Sequence, residues 1–260
     1  MISGGCDMSV GGQLALCGMF AATLNVTYGL PTFVVVILTL MLGALFGLIN
    51  GLLMNVFNIM PLIVTLGTML FFQGASYIIS VGVASFGLSD SFKFIGQGYL
   101  GFVPLPIVIL LVIGVLGYIV LHKTYFGRHI YAMCGNPEAA RLAGVNIKKY
   151  RLAVFTITGI LAAVAGIIMA ARTGSAQPSA GASYPFDCMT AVGLGGVSFA
   201  GGSGSMLGAM MGVIIIGVLN NGMQLIGMDS NMINCVKGIV LLIAIGIDSV
   251  QRTGKKAKKV

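Results

Sequence analysis

The chain has 260 residues, of which 57% are hydrophobic and only 8% charged, with a mean hydropathy of +1.03 and a formal net charge of +8. A soluble domain carries about 25% charged residues to meet water, so composition excludes a soluble fold. The apolar stretches 31–57, 61–86, 103–121, 152–171 and 205–228 hold few or no charges, and about 20 such residues in a helix cross the hydrocarbon core.

Helices fit these stretches better than barrel strands. A barrel strand alternates apolar and polar residues over about ten positions, whereas PIVILLVIGVLGYIVL at 106–121 is apolar throughout. The expected fold is an all-α, polytopic transmembrane helical bundle of about eight spans, at 9–29, 32–57, 61–84, 104–122, 152–171, 186–201, 205–227 and 232–250. The sixth is short and glycine-rich (TAVGLGGVSFAGG) and fits either a full crossing or a re-entrant piece.

Within the first three spans, Gly43, Gly47 and Gly51 recur every fourth residue, as Gly208 and Gly212 do later. Small residues at this spacing let helix backbones approach closely in lipid. Polar side chains inside spans are few: Asn50, Gln73, Asn220 and Asn221. In lipid they must face other helices or a wet cavity, which makes them candidates for a path used by a polar solute.

Between the fourth and fifth spans lies a basic loop, about 123–151, holding Lys123, Arg128, Arg141, Lys148, Lys149 and Arg151. A basic tail, 251–260, holds Arg252, Lys255, Lys256, Lys258 and Lys259. Eleven of the fourteen basic residues thus sit in two segments, and cytoplasmic loops carry such an excess. Four crossings between them keep both on one side. The positive charge reads as a topology signal, and no nucleic-acid partner is expected.

The loop contains GNPEAARLAGVN at 135–146, which has the signals of a short soluble helix over 137–143. Asn136 is a favoured N-cap, Pro137 fits the first helical position, and Glu138 suits the positive end of the dipole. Arg141 suits the last turn and Gly144 the left-handed position after it. Ala139, Ala140 and Ala143 beside Leu142 would form its exposed, small-residue surface, shaped to dock in a groove of another protein.

Motifs for other chemistries fail. GQGYLG at 96–101 matches G-x-G-x-x-G, but a dinucleotide site needs a strand before it and a helix after it. No phosphate-binding G-x-x-x-x-G-K-[ST] exists. The six carboxylates (Asp7, Asp90, Glu138, Asp187, Asp229, Asp248) fall mainly at span ends, and no nucleophile, base and orienter can be named, so no catalytic or metal residues are assigned. Lys237, near a span end, is expected to snorkel to the interface. The five cysteines show no metal or disulfide spacing. GGCDMSVG (4–11) and GGVSFAGG (195–202) echo each other, a faint sign of the internal repeats found in transporters.

FGRHIYAMCGNPEAARLAGVNI (126–147), GGCDMSVG, PLIVTLGTM (61–69), ARTGSAQPSAGASYPFD running into AVGLGGVSFAGGSGS (171–205), and NNGMQLIGM (220–228) together resemble bacterial ABC-transporter permeases of the ribose-type monosaccharide importer family. The match is colinear over essentially the whole chain. The resemblance implies the permease subunit of an ATP-driven monosaccharide importer in the bacterial cytoplasmic membrane. It implies an ABC ATPase subunit, a second permease subunit and an extracytoplasmic sugar-binding protein as partners. No cofactor is expected in this chain, since the ATPase hydrolyses ATP, and the chain is not expected to be an enzyme. Gly135, Asn136, Pro137, Glu138, Ala139, Ala140, Arg141, Leu142 and Gly144 would then be the ATPase-coupling residues. Relatives place further transmembrane sequence before the GG-x-D-[LM]-S-V-G motif, so the chain is expected to lack N-terminal helices of the full permease and to be functionally incomplete. Pro185 and Phe186 stand where the family usually has an acidic residue and a leucine. The alternative is a secondary transporter or channel for a small polar solute, which would call for protonatable or sodium-site groups within the spans.

Overall fold

The computed structural model describes residues 1–257, with side chains through 250. It contains eleven helices among the described residues: α1 (Val10–Val26), α2 (Thr32–Phe57), α3 (Pro61–Ser80), α4 (Asp90–Gln97), α5 (Leu105–Lys123), α6 (Tyr125–Gly135), α7 (Pro137–Leu142), α8 (Ile147–Thr173), α9 (Tyr184–Leu194), α10 (Met206–Leu225) and α11 (Ser230–Ala257). The four two-residue strands are β1 (Ser85–Phe86), β2 (Tyr99–Leu100), β3 (Val103–Pro104) and β4 (Ser175–Ala176). β1 pairs with β4 and β2 with β3, both antiparallel, and Gly101 turns the second hairpin at φ +67°.

Six helices are long and apolar enough to cross a membrane: α2, α3, α5, α8, α10 and the Ser230–Val250 part of α11. The all-α polytopic bundle expected from composition is therefore the fold, with six of the eight expected spans forming such long helices among the described residues. The first expected span forms a 17-residue helix. The sixth forms the 11-residue α9, followed by the glycine-rich loop 195–204. At about 1.5 Å per residue α9 covers roughly half of the hydrocarbon thickness. Four glycines of positive φ, Gly196, Gly201, Gly202 and Gly204, keep that loop from continuing the helix.

The chain folds into two compact units. In the unit made of 6–115 and 146–185, small residues line the close contact between α2 and α8. Along α2 the buried positions are Val35, Thr39, Gly43, Gly47, Asn50, Gly51 and Met54, while Phe33, Met41 and Leu45 of the same helix are exposed. An apolar exterior is what lipid requires, and close packing takes over inside. A side-chain carbon on Gly43 would lie 2.5 Å from Ala163 Cβ, one on Gly47 would strike the Phe155 carbonyl, and one on Gly51 would lie 3.0 Å from Leu152 Cα. Gly159 of α8 meets the Gly43 carbonyl in return. The four-residue stripe of α2 is thus the seam against α8. A second cluster joins Met19, Val35, Leu88, Phe92 and Ile167, drawing α4 onto α1, α2 and α8.

The other unit comprises 1–5, 116–145 and 186–260. Here α9 and α10 meet through the same device, Gly208 against the Gly195 carbonyl and Gly212 against the Ala191 carbonyl. Two carboxylates tie α9 and the loop after it to α11. Asp187, in the first turn of α9, pairs with Lys237 Nζ at 2.9 Å, each side chain only 16% exposed. Asp248 Oδ2 accepts from Ser198 Oγ at 3.1 Å and Phe199 N at 3.2 Å. Lys237 therefore does not snorkel, because a buried carboxylate lies within reach and pairing costs less than leaving either charge alone.

Candidate functional site

The 122–146 segment is ordered by local bonds from end to end. Thr124 caps α6, its Oγ1 accepting from Gly127 N. Arg128 stacks over the Tyr125 ring at 4.1 Å. Asn136 Oδ1 accepts from Ala139 N at 3.1 Å, so the predicted N-cap of α7 forms, with Pro137 at its first position. At the other end Gly144, at φ +83°, donates to Arg141 O, and Val145 N donates to Ala140 O, both at 3.0 Å. This pair of bonds is the Schellman closure, whose apolar contact is supplied by Ala140 and Val145. Asn146 then caps α8, accepting from Lys149 N at 3.1 Å.

One expected feature is reversed. Ala140 is buried, at 5% exposure, and is not part of the outer surface. It stands opposite Val145 in the closure, and Val145 is itself only 8% exposed. The outward surface of α7 consists of Glu138, Ala139, Arg141, Leu142 and Ala143. Leu142 is 91% exposed, an apolar knob at the tip of a basic loop.

Other parts of the same unit gather around this segment. His122 Nε2 accepts from Met206 N at 3.3 Å, at the start of α10. Tyr131 OH donates to Gly204 O at 2.8 Å, and burial raises its phenol above the usual range. Gly202 N donates to Ile2 O at 2.9 Å, and Cys134 Sγ donates to Ala200 O at 3.4 Å. With the Asp248 bonds to Ser198 and Phe199, these contacts put the end of α5, α6, the 198–206 loop and the late turns of α11 at one end of the unit. Gly4 and Gly201, one from each glycine-rich echo, lie against each other there. Residues 122–145 of the basic loop and the late turns of α11 thus share an end of this unit; the side chains of 251–257 and all of 258–260 lie outside the described residues.

The four candidate path residues divide between the units. Asn50 is fully buried, and its Nδ2 donates to Ser9 Oγ at 2.8 Å. Gln73 is half-buried. Asn220 is half-buried with an unpartnered buried Oδ1, while Asn221 is exposed. Asn50 belongs to a cluster that sequence reading missed, formed with Asp7, Ser9 and Gln13. Ser9 N and Ser9 Oγ donate to Asp7 Oδ1 at 2.9 and 2.6 Å, and Gln13 Nε2 donates to Ser9 Oγ at 2.7 Å. The signal available was polar spacing across the start of α1, Asp7, Ser9 and Gln13, in a stretch otherwise apolar or glycine. A separate cavity of about 160 Å³ opens beside α1, α8 and the 175–180 loop, with Thr173, Ser175, Gln177 and Ser179 facing Leu14 and Met169.

The chain is helical, with six candidate membrane spans among the described residues and a capped loop helix in its basic loop, and comparison with known proteins places it within one family. The family model for the permease component of branched-chain amino acid transport systems matches residues 1–245, and the chain belongs to that family. It is 40% identical to the ribose import permease of Bacillus subtilis (strain 168), over 95% of this chain and 77% of that protein. It is 34% identical to the xylose transport system permease of Haemophilus influenzae, over 96% and 83%. With the galactose/methyl galactoside import permease of the same organism it shares 35% identity, over 98% and 82%. No solved structure matches the chain. The chain thus belongs with the ribose-type ABC permeases, as a multi-pass membrane protein.

Proposed function

We propose that this permease passes a monosaccharide across the membrane while α7 receives the stroke of a separate ABC ATPase. The observation that carries this reading is the form of α7: a short helix capped at both ends, presenting Leu142 to solvent from a basic loop. A helix this short is marginal on its own in water. Its two caps and the buried Ala140–Val145 contact hold it ready, which lowers the ordering cost of docking. Gly135, Asn136, Pro137 and Gly144 shape the helix, Ala140 seats it, and Glu138, Ala139, Arg141 and Leu142 meet the ATPase groove. The basic end faces the cytoplasm in this reading, a second permease subunit completes the path, and a sugar-binding protein delivers substrate outside. The substrate class follows from relatives named for ribose, xylose and galactose. The protein transports and does no chemistry of its own on the sugar. Asn50, Gln73, Asn220 and Asn221 are the proposed polar contacts of the path, Asn220 supported by its free buried oxygen.

The test is purification in mild detergent with its ATPase, followed by reconstituted uptake. An ATPase subunit should remain bound to the wild type and be lost with Leu142→Asp, while membrane insertion is unchanged. ATPase retention by Leu142→Asp, with normal uptake, would refute the docking role.

A further inference from the structure

The cluster at Asp7, Ser9, Gln13 and Asn50 has an uneven hydrogen-bond count. Three of its oxygens are buried with no partner: Asp7 Oδ2, Gln13 Oε1 and Asn50 Oδ1. All its placed donors converge elsewhere. Ser9 N and Oγ both point at Asp7 Oδ1, and the two amide nitrogens both point at Ser9 Oγ. The amides cannot be turned over to relieve this, because Ser9 has a single hydroxyl hydrogen and Asp7 takes it at 2.6 Å. What the cluster lacks is a donor aimed at these oxygens. Buried acceptors without donors are costly, and a bare buried carboxylate more so.

We propose that Asp7 is a proton-binding site: Oδ1, with two donors, is its carbonyl oxygen, and Oδ2 carries a hydrogen that it donates to the amide oxygen of Gln13 or Asn50. One proton then removes the charge and satisfies two unpartnered oxygens together. The charged surroundings agree. α2 and α3, which pack near the cluster, contain no Asp, Glu, Lys, Arg or His. α1 contributes only Cys17 as a titratable group, and it is buried. α8 carries Lys148, Lys149, Tyr150 and Arg151 in its first turns and Arg172 near its far end, yet among the described residues none forms a salt bridge with Asp7. Cys6 is the remaining titratable neighbour in this unit. Burial raises the Asp7 carboxyl above the usual range, against the opposing pull of the Ser9 bonds.

Infrared spectroscopy of the purified permease tests this directly, comparing wild type with Asp7→Asn at neutral pH. A carboxylic-acid carbonyl band should be present in the wild type, shift in D2O, disappear in Asp7→Asn, and persist when sodium and potassium are replaced by choline. Asn mimics the neutral acid in shape and donates from the same position, so this variant should melt near the wild-type temperature. Three results would each overturn the proposal: no band difference between the two proteins, a band that appears only when sodium and potassium are withdrawn, or a collapse of Asp7→Asn that shows the negative charge to be required. The second would identify a metal cation on the three free oxygens instead of a proton.

Discussion

Ala140 and Leu142 stand two positions apart on α7 and do opposite work. Leu142 meets solvent, and Ala140 seats the helix against Val145. Replacing Ala140 with Trp should therefore unseat α7 itself, lowering the melting temperature of the permease as well as its coupling to the ATPase. Leu142→Ala should leave the melting temperature unchanged and lower only sugar-stimulated ATP hydrolysis, which a thermal-shift measurement beside an ATPase assay separates. Asp7 supplies a pH prediction. Its carboxyl is raised in the folded protein, so folding takes up a proton. The stabilising contribution is complete below the ordinary carboxylate range and fades as pH climbs through the raised value. Wild-type melting temperature should fall over that upper window, while Asp7→Asn should not share this component.

At the scale of the element, α7 and the α2–α8 seam show what sequence makes legible. Asn136, Pro137 and Gly144 are position-specific residues, each with a local reason, and all three take the places expected of them. The facing of Ala140 was not legible. Small residues do not announce which side they turn, and only the Schellman bonds reveal that this one turns inward. Likewise the stripe of Gly43, Gly47 and Gly51 foretold a close contact, but nothing in it named α8 as the partner. Asn136→Ala should cost about 1 kcal/mol of local stability through loss of the cap. Gly144→Ala should cost about 1–2 kcal/mol, because its φ of +83° belongs to the left-handed region. Hydrogen exchange of the 137–145 amides would report both, with faster exchange confined to that segment. Gly47→Ala should destabilise by about 1–3 kcal/mol, the usual cost of forcing extra volume into a packed contact, seen as a lower melting temperature in detergent.

For the whole molecule, hydropathy located all six long crossing helices, because each is a nearly uncharged stretch of at least nineteen residues. It left 186–201 open between a full crossing and a re-entrant piece, since glycine scores as neutral and hides the point where a helix unwinds. It misjudged Lys237 because its partner, Asp187, is fifty positions away in sequence. Removing one member of a buried pair typically costs about 3–5 kcal/mol by stranding the other charge. Lys237→Met should thus destabilise strongly, and Lys237→Met with Asp187→Asn should recover most of the loss in a detergent melt. If the double variant is no better than the single one, the pair does not hold α9. The shared end of the basic loop and the α11 exit makes a further prediction: single cysteines at Ala139 and at Val250, on a cysteine-free background, should both resist an impermeant reagent applied to intact cells and both react in inside-out vesicles.

The glycine seam between α2 and α8 has a consequence for how this protein tolerates change over time. At Gly43 and Gly47 the opposing surface is partner-helix backbone or an alanine methyl, and backbone cannot retreat as a long side chain can. A neighbouring substitution therefore offers little compensation, whereas the exposed face of α2, with Phe33, Met41 and Leu45, accepts any side chain that lipid accepts. A library of all single substitutions should show its sharpest intolerance along this stripe, well away from the ATPase-facing helix. Drift in the family would be steered by residues that bind nothing.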